Sequence, residues 1–170
     1  FKKSGVKKII TSCAGCYRTL RLDYEGILDD LEIEVLHTIE YVLRVLKEKG
    51  ISLKHLGLNT TYHDPCHTGR HIGLYEEPRE MLRQIANISE MKTIKENAKC
   101  CGAGGGVKKG FPELALEIAK SRVKEAEETG AKYLVSICPF CYRNLSDAIK
   151  ASNSEIEMID LLELLNQSLE

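Results

Sequence analysis

The sequence predicts an α/β fold in which βαβ units build a parallel sheet. Short β-branched or apolar runs at 6–11, 58–63 and 133–137 each end at a turn, and segments with helically spaced apolar residues follow them. Strands that alternate with helices usually pair in parallel, because the helix returns the chain to the same end of the sheet. An internal repeat, described below, indicates that such units occur in tandem.

The first third of the chain predicts two strand and helix pairs. In order, these elements are a strand at 6–11, a helix at 17–28, a strand at 33–36 and a helix at 41–47. Ile27 and Leu28 continue the apolar spacing of the first helix. Thr38 is the expected N-cap of the second helix, and Gly50 is expected to end it.

The remainder predicts four strands and four helices. In order, they are strand 58–63, helix 78–85, strand 91–95, helix 112–129, strand 133–137, helix 142–150, strand 156–159 and helix 161–165. Pro112 and Glu113 suit the first turn of the longest helix, and Gly130 suits its end. The stripe of that helix expected to face the core comprises Leu114, Ile118, Val123 and Ala126.

One unit of the sequence occurs twice. Residues 9–20 align without gaps on 134–145, and residues 33–37 align on 156–160. The simplest interpretation is two tandem modules, with residues 1–55 as the C-terminal part of the first and 56–170 as the complete second. Because the chain begins with Phe1, we expect a fragment of a longer protein whose first module begins upstream.

Composition excludes several classes of function. The 170 residues suffice for one sizeable core or two small lobes. The 24 basic and 25 acidic residues give a net charge of -1, which argues against nucleic-acid binding and a polybasic membrane surface. Apolar runs are short and no signal peptide is visible, so we expect a cytoplasmic segment without direct membrane insertion. Seven cysteines, an odd number, favour metal or redox chemistry over a disulfide framework.

Five cysteines form an array centred on the run Cys-Cys-Gly-Ala-Gly-Gly-Gly at 100–106. In this array 33 residues separate Cys66 from the pair Cys100 and Cys101, and 36 residues separate the pair from Cys138, which forms a CxxC with Cys141. A buried apolar pair without chemistry is one alternative for the adjacent cysteines. A phosphate-binding loop is another, but the run lacks the Gly-Lys-Ser/Thr ending of a P-loop.

The array indicates a metal centre. A CxxC at a helix start favours thiolates, and Pro139 suits the first helical position. Backbone N–H groups of the glycine run can face one anionic object. Five soft thiolates exceed the four ligands of tetrahedral zinc, whereas an iron-sulfur cluster has several metal corners to fill. The alternative is a zinc-stabilised domain whose four thiolates come from Cys13, Cys16, Cys138 and Cys141.

These motifs resemble those of a known family. The motifs are His-Asp-Pro-Cys-His at 63–67, Gly-Arg-His at 69–71, the cysteine and glycine run at 100–106, and Cys-Pro-Phe-Cys-Tyr-Arg-Asn-Leu at 138–145. Residues 5–165 are similar to the CCG (cysteine-rich) domains of heterodisulfide reductase subunits of the D and B types. Iron-sulfur subunits of glycolate oxidase and of anaerobic glycerol-3-phosphate dehydrogenase are related to them.

The resemblance implies an iron-sulfur oxidoreductase with a noncubane [4Fe-4S] cluster in each complete module. The implied ligands of the second module's cluster are Cys66, Cys100, Cys101, Cys138 and Cys141, with Gly102 beside them. Cys13 and Cys16 would be the last ligands of the first module. In heterodisulfide reductase, such clusters cleave the mixed disulfide of coenzymes M and B.

The resemblance also implies partners. These are the upstream ferredoxin-like and first CCG regions of the parent chain, and an electron-donor, membrane cytochrome or flavoprotein subunit that would make the protein peripheral to a membrane. The alternative function is a non-catalytic electron-transfer subunit of a glycolate, lactate or glycerol-3-phosphate type of dehydrogenase.

Three histidines and two arginines flank the array. His63, His67 and His71 can donate protons to a departing thiolate, or they can be turn and capping residues. Arg70 and Arg143 can meet anionic substrate groups or lie on the surface.

Overall fold

The protein is an α/β fold with parallel strands, as its sequence predicts. A computed structural model describes residues 1–25 and 32–169. The strands are β1 (Lys8–Thr11), β2 (Glu34–His37), β3 (Asn59–Tyr62), β4 (Asn87–Ile88), β5 (Tyr133–Ser136) and β6 (Glu157–Asp160). β1 pairs with β2, and the other four strands form a sheet in the order β4-β3-β5-β6. Every one of these pairs is parallel in the described residues.

Seven α-helices connect and cover these strands in the described ranges. They are α1 (Ala14–Arg18), α2 (Thr38–Lys49), α3 (Glu76–Ile85), α4 (Val107–Gly110), α5 (Pro112–Glu127), α6 (Pro139–Ser152) and α7 (Leu161–Ser168). A π-helical turn (Thr19–Asp23) follows α1, and short 3-10 turns lie at Lys2–Ser4 and Lys95–Asn97. No helix in residues 1–25 and 32–169 is both long and apolar enough to cross a membrane.

Two hydrophobic clusters form the core. The first joins α2 to α3 and α7 through buried side chains such as Leu43, Leu82 and Leu164. The second lies where α5 and α6 pack against β5, and it includes Leu134 and Leu145. Cys101, Cys138 and Cys141 belong to this second cluster, so the cysteine loops pack directly against apolar core.

The sequence repeat is also a structural repeat. Ile9 pairs with Val35 in the first sheet, and the equivalent residues Leu134 and Met158 pair in the second. Cys13 and Cys138 are the N-caps of the helices that follow the two equivalent strands. The next helices, α2 and α7, both begin with a capping box. The same strand register and the same helix starts therefore occur twice.

Two predictions from the sequence are wrong in position. The N-cap of α2 is His37, not Thr38, because the His37 side chain accepts from the N–H of Ile39 while Glu40 accepts from the N–H of His37. The strand predicted at 91–95 lies earlier, as β4, where the N–H of Ser89 donates to the carbonyl of Thr60. Residues 91–95 contact α5 and Asp64 instead.

Two predicted helices also differ from the structure. Leu114 is exposed, so the buried stripe of α5 is shifted by one residue to Ala115, Ala119, Arg122, Val123 and Ala126. The helix predicted at 17–28 begins at Ala14 and changes to the π-helical turn at Thr19. Ile27 and Leu28 lie outside the described residues.

Candidate metal centre

Cysteines from distant parts of the chain meet at one cavity of about 660 Å³. The cavity lies beyond the carboxyl ends of β1, β3 and β5, where loops of parallel-sheet proteins commonly form binding sites. The cysteines that line it are Cys13, Cys66, Cys100, Cys101, Cys138 and Cys141. The structure thus brings together all five members of the array that the sequence singles out.

The five thiols of the array form a continuous row of hydrogen-bonded neighbours. The order is Cys66, Cys100, Cys101, Cys141 and Cys138, each side chain in contact with the next. A row of this kind places several soft donors around one volume. It is a donor set suited to zinc or to an iron-sulfur cluster.

Neighbouring thiols divide the row into acidic and weakly acidic members. Hydrogen bonds from Cys101 and then Cys66 lower the pKa of Cys100 to about 2, and the N–H of Gly102 approaches its Sγ at 3.3 Å. The Cys141 thiol, followed by backbone N–H groups, lowers the pKa of Cys138 to about 6. Hydrogen bonding to Cys100 raises the pKa of Cys101 to about 12. The protein alone thus favours thiolates at Cys100 and Cys138.

The remaining two thiols have raised pKa values. Hydrogen bonding to Cys100 raises the pKa of Cys66, and hydrogen bonding to Cys101 raises that of Cys141. Because like charges at contact distance repel each other, full ionisation of the row requires a cation among the sulfurs.

The start of α6 explains the acidity of Cys138. Pro139 occupies the first turn, where a missing N–H leaves no unpaired donor. Backbone N–H groups of Phe140 and Cys141 face the Cys138 sulfur, and the N–H of Ala14 reaches it from the first repeat. Free N–H groups at a helix start stabilise a thiolate there.

The glycine run approaches α5 too closely for a side chain. Gly102 has a φ of 83°, and a Cβ atom there would lie 2.7 Å from the carbonyl oxygen of Ala115. Asn144 holds the same contact from α6: its Nδ2 donates to the carbonyl of Cys101 at 2.6 Å and to that of Ala115 at 3.0 Å. Lys108 donates in turn to the Asn144 Oδ1 at 2.6 Å. Cys101 is thus positioned from two helices.

Cys13 and Cys16 belong to the other side of the cavity. Cys13 is half-buried and lines the cavity, whereas Cys16 is exposed and is not among its lining residues in the described chain. The N–H of Cys16 donates to the Cys13 Sγ at 3.5 Å. Hydrogen bonding to Cys13 also raises the pKa of Cys16. The contacts of Cys141 with Cys101 favour the five-thiol grouping over the four-thiolate alternative.

The three candidate histidines lie in different environments. His67 lines the cavity, and its ring meets that of His71 edge-on with centroids 5.0 Å apart. His71 is exposed, and the Nε of Arg18 donates to its Nδ1 at 3.2 Å. His63 is 1% exposed, and the Nε of Arg122 donates to its Nδ1 at 3.1 Å. Burial, followed by the charge of Arg122, lowers the pKa of His63 to about 3.

Two arginines flanking the array have different positions. Arg70 donates to the carbonyls of Glu96 and Ala98, so it braces the segment that leads to Cys100. Arg143 is exposed and lines the cavity together with Lys108 and Lys109. These three residues give one side of the cavity a positive charge.

Buried ion pairs support the cysteine loops, and sequence reasoning missed them. Asp64, two residues before Cys66, accepts two hydrogen bonds from Arg79 at 2.7 and 2.9 Å. Its Oδ2 also accepts from the N–H of Lys95, which ties the Cys66 loop to the segment before Cys100. A signal existed for Arg122, because this charged residue interrupts a stripe of small apolar residues on α5.

Known proteins match this arrangement of residues. A family model described as a cysteine-rich domain, CCG, matches residues 60–146, about half of the chain. The D-type subunit of the dihydromethanophenazine:CoB–CoM heterodisulfide reductase of Methanosarcina acetivorans is 45% identical over 172 residues, which cover 99% of this chain and 42% of that protein. A B-type subunit, that of the fumarate reductase (CoM/CoB) of Methanothermobacter marburgensis, is 34% identical over 165 residues, covering 96% of this chain and 33% of that protein.

A third relative comes from a bacterium. The EtfAB:quinone oxidoreductase of Syntrophomonas wolfei is 33% identical over 181 residues, which cover 100% of this chain and 25% of that protein. The chain therefore spans less than half the length of each of these relatives.

Proposed function

The chain belongs to the cysteine-rich CCG domain family, and on that premise we propose that it is a segment of an iron-sulfur oxidoreductase. The observation that carries the proposal is the unbroken row of five thiols along one cavity. The proposed cluster ligands are Cys66, Cys100, Cys101, Cys138 and Cys141. The relatives named as part of a heterodisulfide reductase and as oxidoreductases support this class of function.

The residues present fit an iron-sulfur cluster. Cys100 and Cys138 already favour the thiolate form at neutral pH, and the raised pKa values of Cys66 and Cys141 are those expected of thiols that wait for a cation. Backbone N–H groups around Cys100 and Cys138 can offset the negative charge of a cluster. A bound [4Fe-4S] cluster, of the noncubane type in our proposal, would supply electron transfer to a sulfur substrate.

The chain's own side chains suit an anionic substrate beside the cluster ligands. Lys109 and Arg143 are exposed at the cavity and attract negative charge, while Lys108 is held by Asn144 and Asp147. His67 is the candidate histidine that lines the cavity, so it can donate a hydrogen bond to a substrate there. The proposed substrate is a disulfide of anionic thiols, of the coenzyme M and coenzyme B kind.

Cys13 and Cys16 are proposed to serve a second cluster. Their turn repeats that of Cys138 and Cys141, and they lie in the proposed first module of residues 1–55, next to a second module of 56–170. Upstream regions of a longer parent chain would supply the other ligands, and an electron-donor subunit would complete the enzyme. The chain's share of each relative, 42% or less in the three described above, leaves room for such regions.

A second candidate function is electron transfer without substrate cleavage. The relative named as an EtfAB:quinone oxidoreductase favours it, because that name describes electron flow between a flavoprotein and a quinone. The two functions differ in whether a disulfide is reduced at the cavity. Assay of disulfide reduction by the reconstituted protein with a chemical electron donor distinguishes them.

Anaerobic reconstitution tests the proposed cluster. Protein incubated with iron and sulfide should contain both in near-equal amounts and should give an EPR signal when reduced or oxidised. Cys101→Ser should lose most of the iron, because Cys101 lies at the centre of the thiol row. Cys13→Ser is the matched control and should retain it. Zinc without sulfide, or equal iron loss from both variants, would contradict the five-thiol site.

A further inference from the structure

We propose that His63 is a positioning residue that donates a hydrogen bond from Nε2 to sulfur at Cys101 and Cys141, and that Arg122 fixes the proton on Nε2. The inference rests on the proposed function, because these two sulfurs belong to the proposed cluster site. It gives His63 a role different from proton transfer to a substrate.

The contact with Arg122 selects one tautomer of His63. The Nε of Arg122 donates to the His63 Nδ1 at 3.1 Å. A guanidinium has only donors, so Nδ1 must offer its lone pair, and the single proton of the neutral ring lies on Nε2. Arg122 is itself held in place, because its Nη1 donates to the Thr93 carbonyl at 2.9 Å and to Glu125 at 3.0 Å.

The Nε2 atom has no partner in the described protein. It is fully buried, and no acceptor within hydrogen-bonding distance faces it in residues 1–25 and 32–169. Buried N–H groups are nearly always paired in native structures. An unpaired buried donor therefore points to a group that completes its environment.

The thiols of Cys101 and Cys141 are the neighbours that can accept this hydrogen bond. A ring nitrogen of His63 and these two sulfurs all lie within 4.8 Å of one another. Such a trio would suit a metal ion by distance alone. Binding through Nε2 would, however, require that nitrogen to lose its proton while Arg122 still occupies Nδ1, which leaves donation to sulfur as the role of His63.

Donation to a ligand sulfur has a measurable consequence. Hydrogen bonds to cluster sulfurs stabilise the more negative, reduced state and so raise the reduction potential. His63 and Arg122 should therefore tune the potential without being ligands. Loss of His63 should change the potential while the iron content stays the same.

Nitrogen NMR tests the tautomer without any cluster. In the metal-free protein labelled with ¹⁵N, the His63 ring should show a protonated Nε2 and an unprotonated Nδ1. A protonated Nδ1 would overturn the proposal. This measurement does not depend on whether iron binds, so its outcome is separate from that of the proposed function.

Two substitutions test the effect on the cluster. His63→Leu removes the donor, whereas His63→Gln retains an N–H group near the position of Nε2. At a fixed solution potential we expect the ratio of reduced to oxidised cluster to fall about tenfold in His63→Leu, which is about 59 mV for a one-electron couple. His63→Gln should recover most of the difference, with the iron content of both variants unchanged.

A matched control separates this effect from the loss of any buried imidazole. His37 is also 1% exposed with an unpaired Nε2, and His37→Asn keeps a residue suited to capping α2. Its potential should equal that of the wild type. Equal potentials in all four proteins, or iron loss from both His63 variants, would overturn the proposal. Should His63→Leu fail to fold, a His63→Gln potential that departs about tenfold from the wild type would overturn it as well.

Discussion

Cys100 differs from the other cysteines of the site in the number of donors that face its sulfur. Cys66, Cys101 and the N–H of Gly102 all favour its thiolate, which explains why its pKa is the lowest in the row. Gly102 contributes both this donor and the close approach to Ala115 that allows it. One glycine therefore links the backbone conformation of the loop to the charge of the site.

Gly102→Ala should destabilise the protein by on the order of 2 kcal/mol or more. An alanine there is strained at φ 83° and would place its Cβ 2.7 Å from the Ala115 carbonyl oxygen. Urea unfolding of the metal-free protein measures the effect. Gly104→Ala is the matched control, because a Cβ at that position meets no atom within 4 Å. Equal stability of the two variants would contradict the packing described here.

The equivalent helices α2 and α7 begin with different capping residues in the two repeats. His37 caps α2 and Asp160 caps α7, and each works with a glutamate three residues later. Burial lowers the pKa of His37 and raises that of Asp160, so both caps favour their neutral form. The same helix start therefore responds to pH in opposite directions in the two repeats.

Acid should destabilise the protein through His37. Its pKa in the folded protein is lowered by burial from an ordinary value of 6.5, so the unfolded chain binds more protons in the range below 6.5. The stability contributed by neutral His37 is present above this range and is lost as the pH falls through it. His37→Asn keeps the cap and should lose less stability than the wild type between pH 7 and pH 5 in urea titrations. Parallel pH profiles for the two proteins would count against this role.

The two hydrophobic clusters depend on the site to different degrees. The first cluster, between α2, α3 and α7, contains no cysteine among its described residues, whereas the second contains Cys101, Cys138 and Cys141. The loop at 64–73 has its own anchors, which include the ion pair of Asp64 with Arg79. The loop at 99–110 is held mainly through Asn144 and by the close approach of Gly102 to α5.

Removal of the metal should leave the α/β scaffold intact. The metal-free protein should keep a near-native far-UV circular dichroism spectrum, because apolar burial in the strands and helices does not require a cluster. Hydrogen exchange should increase in residues 64–73 and more strongly in 99–110, which bury little apolar surface of their own. Leu134 and Leu145 serve as internal controls that should stay protected. Exchange that rises evenly through β3 and β5 would indicate that the cluster is part of the core.

Much of the fold follows from local patterns in the sequence. The alternation of short apolar strands with helical spacing predicts the parallel sheet, and the repeat predicts that β1 and β5 occupy equivalent places. The CxxC turns are predicted as helix starts, and the structure has Cys13 and Cys138 as N-caps. These predictions succeed because periodicity, prolines and glycines act over a few residues. The five-cysteine array stands out for a related reason, since a run such as 100–106 suits neither a helix nor a strand.

Contacts between distant segments decided the rest. Arg122 reaches His63 across 59 residues and Asn144 reaches Cys101 across 43, and neither contact leaves a periodic signal. The exposure of Leu114 follows from the close approach of Gly102 to Ala115, which turns the neighbouring face of α5 inward. The segment 91–95 has the composition of a strand, but its N–H groups bond to Glu125 and Asp64, so the sheet ends with β4 instead. Sequence alone therefore determined which residues carry the chemistry and in what kind of fold, whereas tertiary packing decided which buried polar groups hold them, because those partners are chosen by shape and charge across the core.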